Sequence, residues 1–328
     1  MQQQFTGTDM LKIDIANCYG MDKQSWVDRL LWTELHEDEL EDLATDADDE
    51  MLYKKAVYAH RESLLGKAIG HNMFLDATAS GLQIMAALSG CKKTARHVNM
   101  VNTGKREDVY IEVGESMNKM LSPLEHVHRN IIKLPLMTHY YNKSKQPSLS
   151  ETQQAAFYNI LSNSFEGAEG CKYIINQFWD PTALEHTFTL PDGHVARVLV
   201  TDVATTRIEV DELDHTSFSY RFEANAPSKI STSLCPNVIH AIDGYIVREM
   251  IRRADKAGFE LAHIFDAFTC HPNHMGKTTQ FYREILAEIA DSNLLSNILS
   301  EIAGKHIPVT KLSNDLSKDI LASEYMLS

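Results

Sequence analysis

Two short segments decide the predicted fold: Leu75-Asp76-Ala77-Thr78-Ala79-Ser80-Gly81-Leu82-Gln83 and His263-Ile264-Phe265-Asp266-Ala267-Phe268. Each holds a single aspartate at the end of a short apolar run, and small residues follow it. Such a run is typical of a strand, so the pattern predicts Asp76 at a strand end and Asp266 between two short strands. Taken alone, either aspartate is most simply a helix cap or a turn residue. Together, two carboxylates can bridge a pair of divalent cations.

A third segment supplies positive charge: Arg129-x3-Lys133-x3-Met137-Thr138-x2-Tyr141. Arg129 and Lys133 are four residues apart and share one face of a predicted helix, which Met137 and Tyr141 continue. Arginine offers a planar fork of donors and lysine a point charge, a combination that suits a triphosphate. The simpler alternative is two surface cations on a solvated helix, with Tyr141 as a core aromatic. With the two aspartates, the helix completes the equipment for two-metal nucleotidyl transfer.

The bulk composition narrows the class of protein. The chain has 328 residues, enough for two packed subdomains or one large domain. It has no run of 18 apolar residues, and its start lacks the pattern of a secretory signal, so neither a membrane span nor secretion is expected. The five cysteines are scattered without a CxxC pair, which favours reduced thiols in a cytoplasm and makes a zinc site improbable.

The net charge of −14 is unevenly distributed. Residues 34–50 carry ten acids and no Lys or Arg, whereas residues 92–145 hold ten Lys or Arg against five acids. A basic zone within an acidic chain is compatible with phosphate contacts in one groove. For most single lysines outside the motifs, a solvated charged face is the simpler interpretation.

Periodicity along the chain predicts a helix-rich α+β fold. Pro135 removes a backbone donor and is expected to kink the helix that carries Arg129 and Lys133. Helices are predicted over residues 24–65, 80–88, 107–121, 126–141, 151–175, 237–257 and 274–300. Strands are predicted in a hairpin around Pro191-Asp192-Gly193, in a second pair within 205–222, and in two short strands within 259–268 that join at Asp266.

The three segments together resemble motifs A, B and C of the single-subunit DNA-dependent RNA polymerases of bacteriophages and mitochondria. Motif A is represented by Asp76 with Ser80-Gly81-x-Gln83, motif B by the Arg129 to Tyr141 segment, and motif C by Phe265-Asp266-Ala267-Phe268. Further elements extend the resemblance over most of residues 11–328. They are Gly20-x-Asp22-Lys23 with Arg29, Tyr110 at 34 residues after Asp76, Pro236-Asn237-x2-His240-x2-Asp243-Gly244, and the tail from Asp315 to Tyr325.

The resemblance implies a right-hand polymerase palm and fingers, with a small antiparallel palm sheet that carries both aspartates. The palm is then expected from residues 1–92 and 241–328, and the fingers from residues 93–240. The implied reaction is addition of nucleotides from NTPs to an RNA 3′ end on a DNA template.

The resemblance also implies a role for each site residue. Asp76 and Asp266 are expected to bind two Mg²⁺ ions. The residues expected to bind substrate are Lys23, Tyr110, Arg129, Lys133 and Tyr141. The residues expected to act in catalysis are Asp76, Asp266, Lys133, Tyr141 and His240.

Three departures from the family pattern matter. Phe265 replaces the usual His before the motif C aspartate, and Asn142 replaces the Gly after the motif B tyrosine. The family's N-terminal domain, thumb and Asp-x2-Gly-Arg element have no counterpart. The expectation is therefore the catalytic subunit of a split, two-subunit phage RNA polymerase in the cytoplasm of an infected bacterium. A second subunit would supply the missing parts, and DNA template, RNA product and NTPs would be its other partners.

Two alternatives stay open. A fragment of a family A-type DNA polymerase shares the Arg-x3-Lys arrangement, but that group carries a Glu soon after the motif A aspartate and a His-Asp-Glu motif C. Here Ser80-Gly81-x-Gln83 and Asp266-Ala267-Phe268 stand in those places. The other alternative is a non-catalytic relative that serves as a scaffold.

Overall fold

A computed structural model describes residues 5–141, 146–225 and 234–328. Most of the described elements are helical. The helices are α1 Gly7–Ala16, α2 Trp26–Leu35, α3 Glu50–Leu64, α4 Ser80–Ser89, α5 Lys92–His97, α6 Val109–Asn118, α7 Arg129–Tyr140, α8 Glu151–Ser164, α9 Glu166–Asn176, α10 Leu234–Lys256, α11 Pro272–Asp291, α12 Leu294–Ala303 and α13 Leu316–Leu321. The strands are β1 Met73–Asp76, β2 Glu185–Thr189, β3 Val195–Leu199, β4 Thr201–Val210, β5 Thr216–Asn225, β6 Ala262–Ile264 and β7 Ala267–Cys270. The predicted helix-rich α+β class is confirmed.

The central sheet has three antiparallel strands in the order β1-β7-β6. In β1, Met73 and Leu75 are buried while Phe74 and Asp76 point away from the core. This alternation follows from the pleat of a strand and leaves the carboxylate of Asp76 on the open side. β7 packs on α11 and β1 on α1, so helices cover the inner face of the sheet.

Helix α4 follows β1 and forms the centre of the core, where Gln83 is fully buried. The Gln83 side-chain amide donates to the carbonyls of Val98 and Met326 at 3.0 Å each and lies 3.0 Å from the Thr78 hydroxyl. Its carbonyl oxygen accepts from the Tyr282 hydroxyl at 2.7 Å. One buried side chain therefore ties the loop after Asp76 to three distant parts of the chain.

The last residues of the chain complete this arrangement. The Ser328 N–H donates to the Asp76 carbonyl at 2.9 Å, and the Thr78 N–H donates to the Met326 carbonyl at 3.0 Å. Leu327 forms a β-bridge with Ala77 between these two bonds. The backbone around Asp76 is consequently held by β7 on one side and by residues 326–328 on the other.

Several predicted elements differ in their bounds. Helix α7 begins at Arg129 rather than 126 and ends at Tyr140, so Tyr141 lies just past it. Pro135 lies inside α7, and residues 151–175 form two helices that meet at Phe165. Both predicted hairpins are present, as the β2–β3 and β4–β5 pairs.

We expect Gln83→Leu to lower the free energy of unfolding by about 3 kcal/mol, because it leaves several buried polar groups without partners at nearly constant volume. The matched control is Tyr282→Phe, which removes one donor only and should cost about 1 kcal/mol. Urea unfolding followed by circular dichroism measures both. Equal stability of Gln83→Leu and the unsubstituted chain would contradict this role.

Candidate active site

The sheet brings the two aspartates of the sequence analysis together. Asp76 pairs with Ala267 across β1 and β7, and the Ala77 N–H donates to the Asp266 carbonyl at 3.2 Å. Asp266 is the second residue of the two-residue turn between β6 and β7. Both carboxylates thus leave the sheet at the same end. Asp76 was predicted at a strand end and Asp266 between two strands, and both placements are confirmed.

The basic face of α7 borders the same space. The Arg129 Nε donates to the Asp108 carboxylate at 2.9 Å, and its guanidinium lies 5.4 Å from the centre of the Tyr110 ring. Asp108 is itself the N-cap of α6, where it accepts from the Tyr110 and Ile111 amides. Lys133, one turn beyond Arg129, is exposed. Arg129 is therefore oriented by a carboxylate, whereas Lys133 reaches into open space.

Lys23 is presented by a loop with an unusual backbone. Gly20 has φ +113°, a backbone conformation that favours glycine, and a Cβ built there would lie 2.7 Å from a side-chain oxygen of Asp48. The fully buried Arg29 holds the loop from within, since its guanidinium donates to the carbonyls of Asp22 at 2.8 Å and Gln24 at 3.0 Å. Lys23 forms an ion pair with Asp22. The structure shows how Gly20 and Arg29 shape this loop, and the role of Lys23 stays a prediction.

The rings of Tyr141 and His240 contact each other. Their rings are 5.3 Å apart between centres, in an edge-to-face arrangement. Burial raises the pKa of Tyr141 and lowers the pKa of His240. The structure therefore favours a neutral pair, a phenol beside an uncharged imidazole, near neutral pH. Asn142, which follows Tyr141, lies outside the described residues.

A cavity of about 910 Å³ unites these groups. Its lining includes all eight predicted site residues: Lys23, Asp76, Tyr110, Arg129, Lys133, Tyr141, His240 and Asp266. These residues come from six separate parts of the chain, and the fold brings them together around one space. The functional role of each remains a prediction.

The negative charge of Asp266 raises the pKa values of two other acidic side chains in the cavity. Burial and then the charge of Asp266 raise the pKa of Asp76, while Lys23 and Lys133 lower it. Burial and Asp266 also raise the pKa of Asp243 to about 6. Carboxylates gathered in this way suit a cation, and oxygen ligands of this kind are those that Mg²⁺ prefers. The donor set thus fits the predicted metal.

Three residues that line the cavity were not predicted as site residues from the sequence. They are Arg106, Asp108 and Asp243. Arg106 donates to the Ser328 hydroxyl at 2.9 Å, and burial lowers its pKa. Asp108 could have been found, since an acidic residue directly before a predicted helix signals an N-cap. Asp243 was noted only as part of a motif, and its position near Asp266 depends on the packing of α10 against α4 and α11.

Glu209, Asp211 and His215 form a separate group at the tip of the β4–β5 hairpin. All three are exposed, and the His215 Nδ1 lies 2.9 Å from Glu209 and 3.2 Å from Asp211. Ion pairing with the histidine accounts for this cluster.

Comparison with known proteins decides the family. The model of the DNA-dependent RNA polymerase family matches residues 71–179 and 201–324, which span both aspartates and the α7 face. The chain belongs to the DNA-dependent RNA polymerase family. The family resemblance inferred from Asp76, the α7 segment and Asp266 is thereby confirmed, and the chain is related to nucleotidyltransferases.

Two relatives of this chain are organellar enzymes. It is 24% identical to the mitochondrial DNA-directed RNA polymerase 1 of Arabidopsis thaliana, over 90% of this chain and 36% of that protein. It is 23% identical to the chloroplastic/mitochondrial DNA-directed RNA polymerase 2B of Nicotiana tabacum, over 98% of this chain and 38% of that protein. The chain thus spans little more than a third of the length of these relatives. None of its described helices has both the length and the apolar character needed to cross a bilayer.

Proposed function

We propose that this chain is the catalytic part of a DNA-directed RNA polymerase. It adds ribonucleoside monophosphates from NTPs to an RNA 3′ end, on a DNA template, with release of pyrophosphate. The observation that carries the proposal is the cavity, in which Asp76 and Asp266 face Lys23, Arg129 and Lys133. In the proposed polymerase, residues 1–92 and 241–328 serve as the palm and residues 93–240 as the fingers.

Asp76 and Asp266 are the residues that would hold two Mg²⁺ ions, because their carboxylates leave adjacent strands at one end of the sheet. When bound, such ions favour ionisation of the 3′-hydroxyl and neutralise the charge of the leaving pyrophosphate. Asp243 is close enough to raise the local negative charge further. The ends of β1 and of the β6–β7 turn fix the positions of the two carboxylates, and the carboxylates in turn fix where the reaction takes place.

The remaining residues orient the substrates. Arg129, Lys133 and Lys23 bind the triphosphate, since charge-assisted contacts to phosphate oxygens are among the strongest hydrogen bonds in proteins. Asp108 holds the Arg129 guanidinium in place through the 2.9 Å bond. Tyr141 and His240 flank the sugar of the incoming nucleotide and the primer end. A neutral phenol can donate to a ribose 2′-hydroxyl, which is the group that separates RNA from DNA.

Replacement of either carboxylate should abolish synthesis without unfolding the chain. We expect Asp76→Asn and Asp266→Asn each to lower the rate of NTP incorporation by about a thousandfold or more, because the carboxylate charge holds the cations. The matched control is Asp38→Asn, an exposed position outside the cavity, which should leave the rate unchanged. Primer extension with Mg²⁺ and NTPs measures the rate. Near-normal extension by either cavity variant would favour the scaffold alternative.

The choice between NTPs and dNTPs distinguishes this proposal from a DNA polymerase. Tyr141→Phe removes only the hydroxyl beside His240, so we expect incorporation of NTPs to persist and that of dNTPs to rise roughly tenfold, the value of about one hydrogen bond. Tyr58→Phe, at an exposed position outside the cavity, is the control. Competition between NTPs and dNTPs measures the ratio, and an unchanged ratio would argue against a sugar-sensing role.

We further propose that the polymerase is split and that a second polypeptide supplies an N-terminal domain, a thumb and the Asp-x2-Gly-Arg element. Two exposed apolar surfaces support it. One face of the β4–β5 hairpin carries Ile208, Phe218 and Tyr220, which are 48%, 46% and 56% exposed. On α2, Val27 and Leu31 are 41% and 47% exposed, one turn apart. Soluble proteins normally bury such faces in a partner. We assign this two-subunit enzyme to a bacteriophage acting in the cytoplasm of its bacterial host.

A partner of this kind should be basic, because its positive charge must offset the net charge of −14 on this chain where the complex binds nucleic acid. Residues 1–328 produced alone are expected to self-associate, and to extend primers on single-stranded DNA only a few nucleotides per binding event. Sedimentation and primer extension test both statements. A triple change of Ile208, Phe218 and Tyr220 to Ser should reduce the self-association. A monodisperse monomer that extends primers processively would contradict the split enzyme.

A further inference from the structure

Arg106 is a half-buried arginine that lines the cavity and has no role in the proposed function. Its Nε donates to the Ser328 hydroxyl at 2.9 Å, which is a neutral partner. In the part of the chain that the structure describes, this is the one hydrogen bond of the side chain, and no carboxylate forms an ion pair with it. The two Nη groups, which carry the remaining donors of the guanidinium, are therefore open to the cavity.

The position of Arg106 is fixed by its neighbours. The N–H of the next residue, Glu107, donates to the Asn99 amide oxygen at 2.8 Å, and the Asn99 amide donates back to the Glu107 carbonyl at 2.9 Å. Ser328, which accepts from Arg106, donates through its own N–H to the Asp76 carbonyl at 2.9 Å. Two successive hydrogen bonds thus attach the guanidinium to the strand that carries Asp76.

The carboxylates whose charges act most on Arg106 are already paired with other cations. Burial lowers the pKa of Arg106, and the charges of Asp22 and Asp108 raise it. Asp22, however, forms an ion pair with Lys23. Asp108 accepts from the Arg129 guanidinium at 2.9 Å. Arg106 therefore has no carboxylate of its own among the described residues, and a half-buried cation in that state favours an anionic ligand.

The location of Arg106 in the cavity indicates which anion it meets. Lys23 and Lys133 act strongly on Asp76, since burial raises the pKa of that carboxyl and both lysines lower it. Asp76 has only a minor effect on the pKa of Arg106, behind burial and the charge of Arg129. This order places Arg106 farther from Asp76 than the two lysines. In the proposed function the α-phosphate reacts beside Asp76, so Arg106 lies towards the outer end of the triphosphate.

We propose that Arg106 binds the γ-phosphate of the incoming NTP through its two Nη groups. The inference rests on the proposed function. A planar guanidinium matches two oxygens of a phosphate, which makes the contact both strong and directional. Ser328 holds the Nε side of the same plane and leaves the Nη groups for the ligand. Arg106 would then distinguish an NTP from the corresponding NDP.

A phosphate of the nucleic acid backbone has similar chemistry and is the competing ligand. The charge of Arg129 lowers the pKa of Arg106, after burial, so two like charges lie close together at this place. A phosphodiester carries one negative charge, whereas a terminal phosphate carries about two near neutral pH. The terminal phosphate therefore offsets the paired positive charge better.

Two arginines allow a matched comparison. Arg106→Gln removes the guanidinium from the cavity. Arg283 is also half-buried and also bonds to the last part of the chain, from Nη1 to the Ser323 carbonyl at 3.3 Å, but it does not line the cavity. Arg283→Gln is therefore the control.

The ligands are ATP, ADP and AMP, each with Mg²⁺. They are offered to the full chain, with any polypeptide that co-purifies, on a DNA template that presents thymidine to the incoming nucleotide. The RNA primer ends in a 3′-deoxynucleotide, so no addition occurs and affinity is measured without catalysis. Equilibrium dialysis gives the three dissociation constants, and fluorescence anisotropy gives that of the primer–template.

Arg106→Gln should weaken the binding of ATP by about 10- to 100-fold, the value of one charge-assisted contact to phosphate. Its binding of ADP and AMP should not change, because neither has a γ-phosphate. Arg106→Lys keeps the charge without the fork and should show a smaller loss, again confined to ATP. Arg283→Gln should leave all three affinities unchanged.

Equal losses on ATP, ADP and AMP would show that Arg106 only supports the fold, and would overturn the proposal. Undiminished binding of ATP would overturn it too, as would an unsubstituted protein that binds ATP no better than ADP. Weaker binding of the primer–template by Arg106→Gln, with an unchanged ratio of ATP to ADP affinity, would assign the guanidinium to a backbone phosphate instead.

An extendable primer keeps the two proposals separate. Selection of ATP over ADP that depends on Arg106, without any NTP incorporation by the unsubstituted protein, would defeat the proposed function alone. Incorporation by the unsubstituted protein, together with an unchanged ratio of ATP to ADP affinity in Arg106→Gln, would defeat this inference alone.

Discussion

The antiparallel pairing of β1 with β7 is the constraint on which the site depends. It sets Asp76 opposite Ala267 and so places the carboxylates of Asp76 and Asp266 side by side. Because side chains alternate along a strand, a slip of one residue would turn Asp76 into the core and bring Leu75 to the cavity. The buried pair Met73 and Leu75 prevents that slip on one side of the strand, and the bonds from residues 326–328 prevent it on the other.

The acidic residues of the chain are concentrated in particular regions rather than distributed evenly. Part of the block at residues 34–50 is structural, since Arg61 contacts Glu37 at 2.6 Å and Glu41 at 2.8 Å, and His60 contacts Glu37 at 2.9 Å. These bonds attach the block to α3. Four positive side chains, in contrast, line the cavity: Lys23, Arg106, Arg129 and Lys133. A chain of net negative charge can therefore carry a local surface suited to phosphates, which a value for the whole chain does not reveal.

The parts of the fold that local pattern controls were predictable. Asp76 follows an apolar run and does end a strand, and Arg129 and Lys133 do share a helix, because both features depend on residues close in sequence. The contacts between residues far apart in sequence came only from the structure. Gln83 was noted as part of a motif, yet its contacts with Val98, Met326 and Tyr282 are structural. The approach of Arg106 and Asp243 to the cavity belongs to the same class, since no local signal encodes a tertiary distance.

The buried Arg29 has a consequence for how the protein responds to salt. Its hydrogen bonds run to the carbonyls of Asp22 and Gln24 and to the Asn17 amide oxygen, which are all neutral acceptors inside the protein. Dissolved ions screen contacts between exposed charges far more than buried ones. The loop that carries Lys23 is therefore anchored by bonds that salt leaves intact, while the proposed contacts of Lys23 with a phosphate would weaken as salt rises. In the proposed function, ionic strength would then change the occupancy of the cavity without changing its shape, and a site emptied at high salt would keep the conformation that binds.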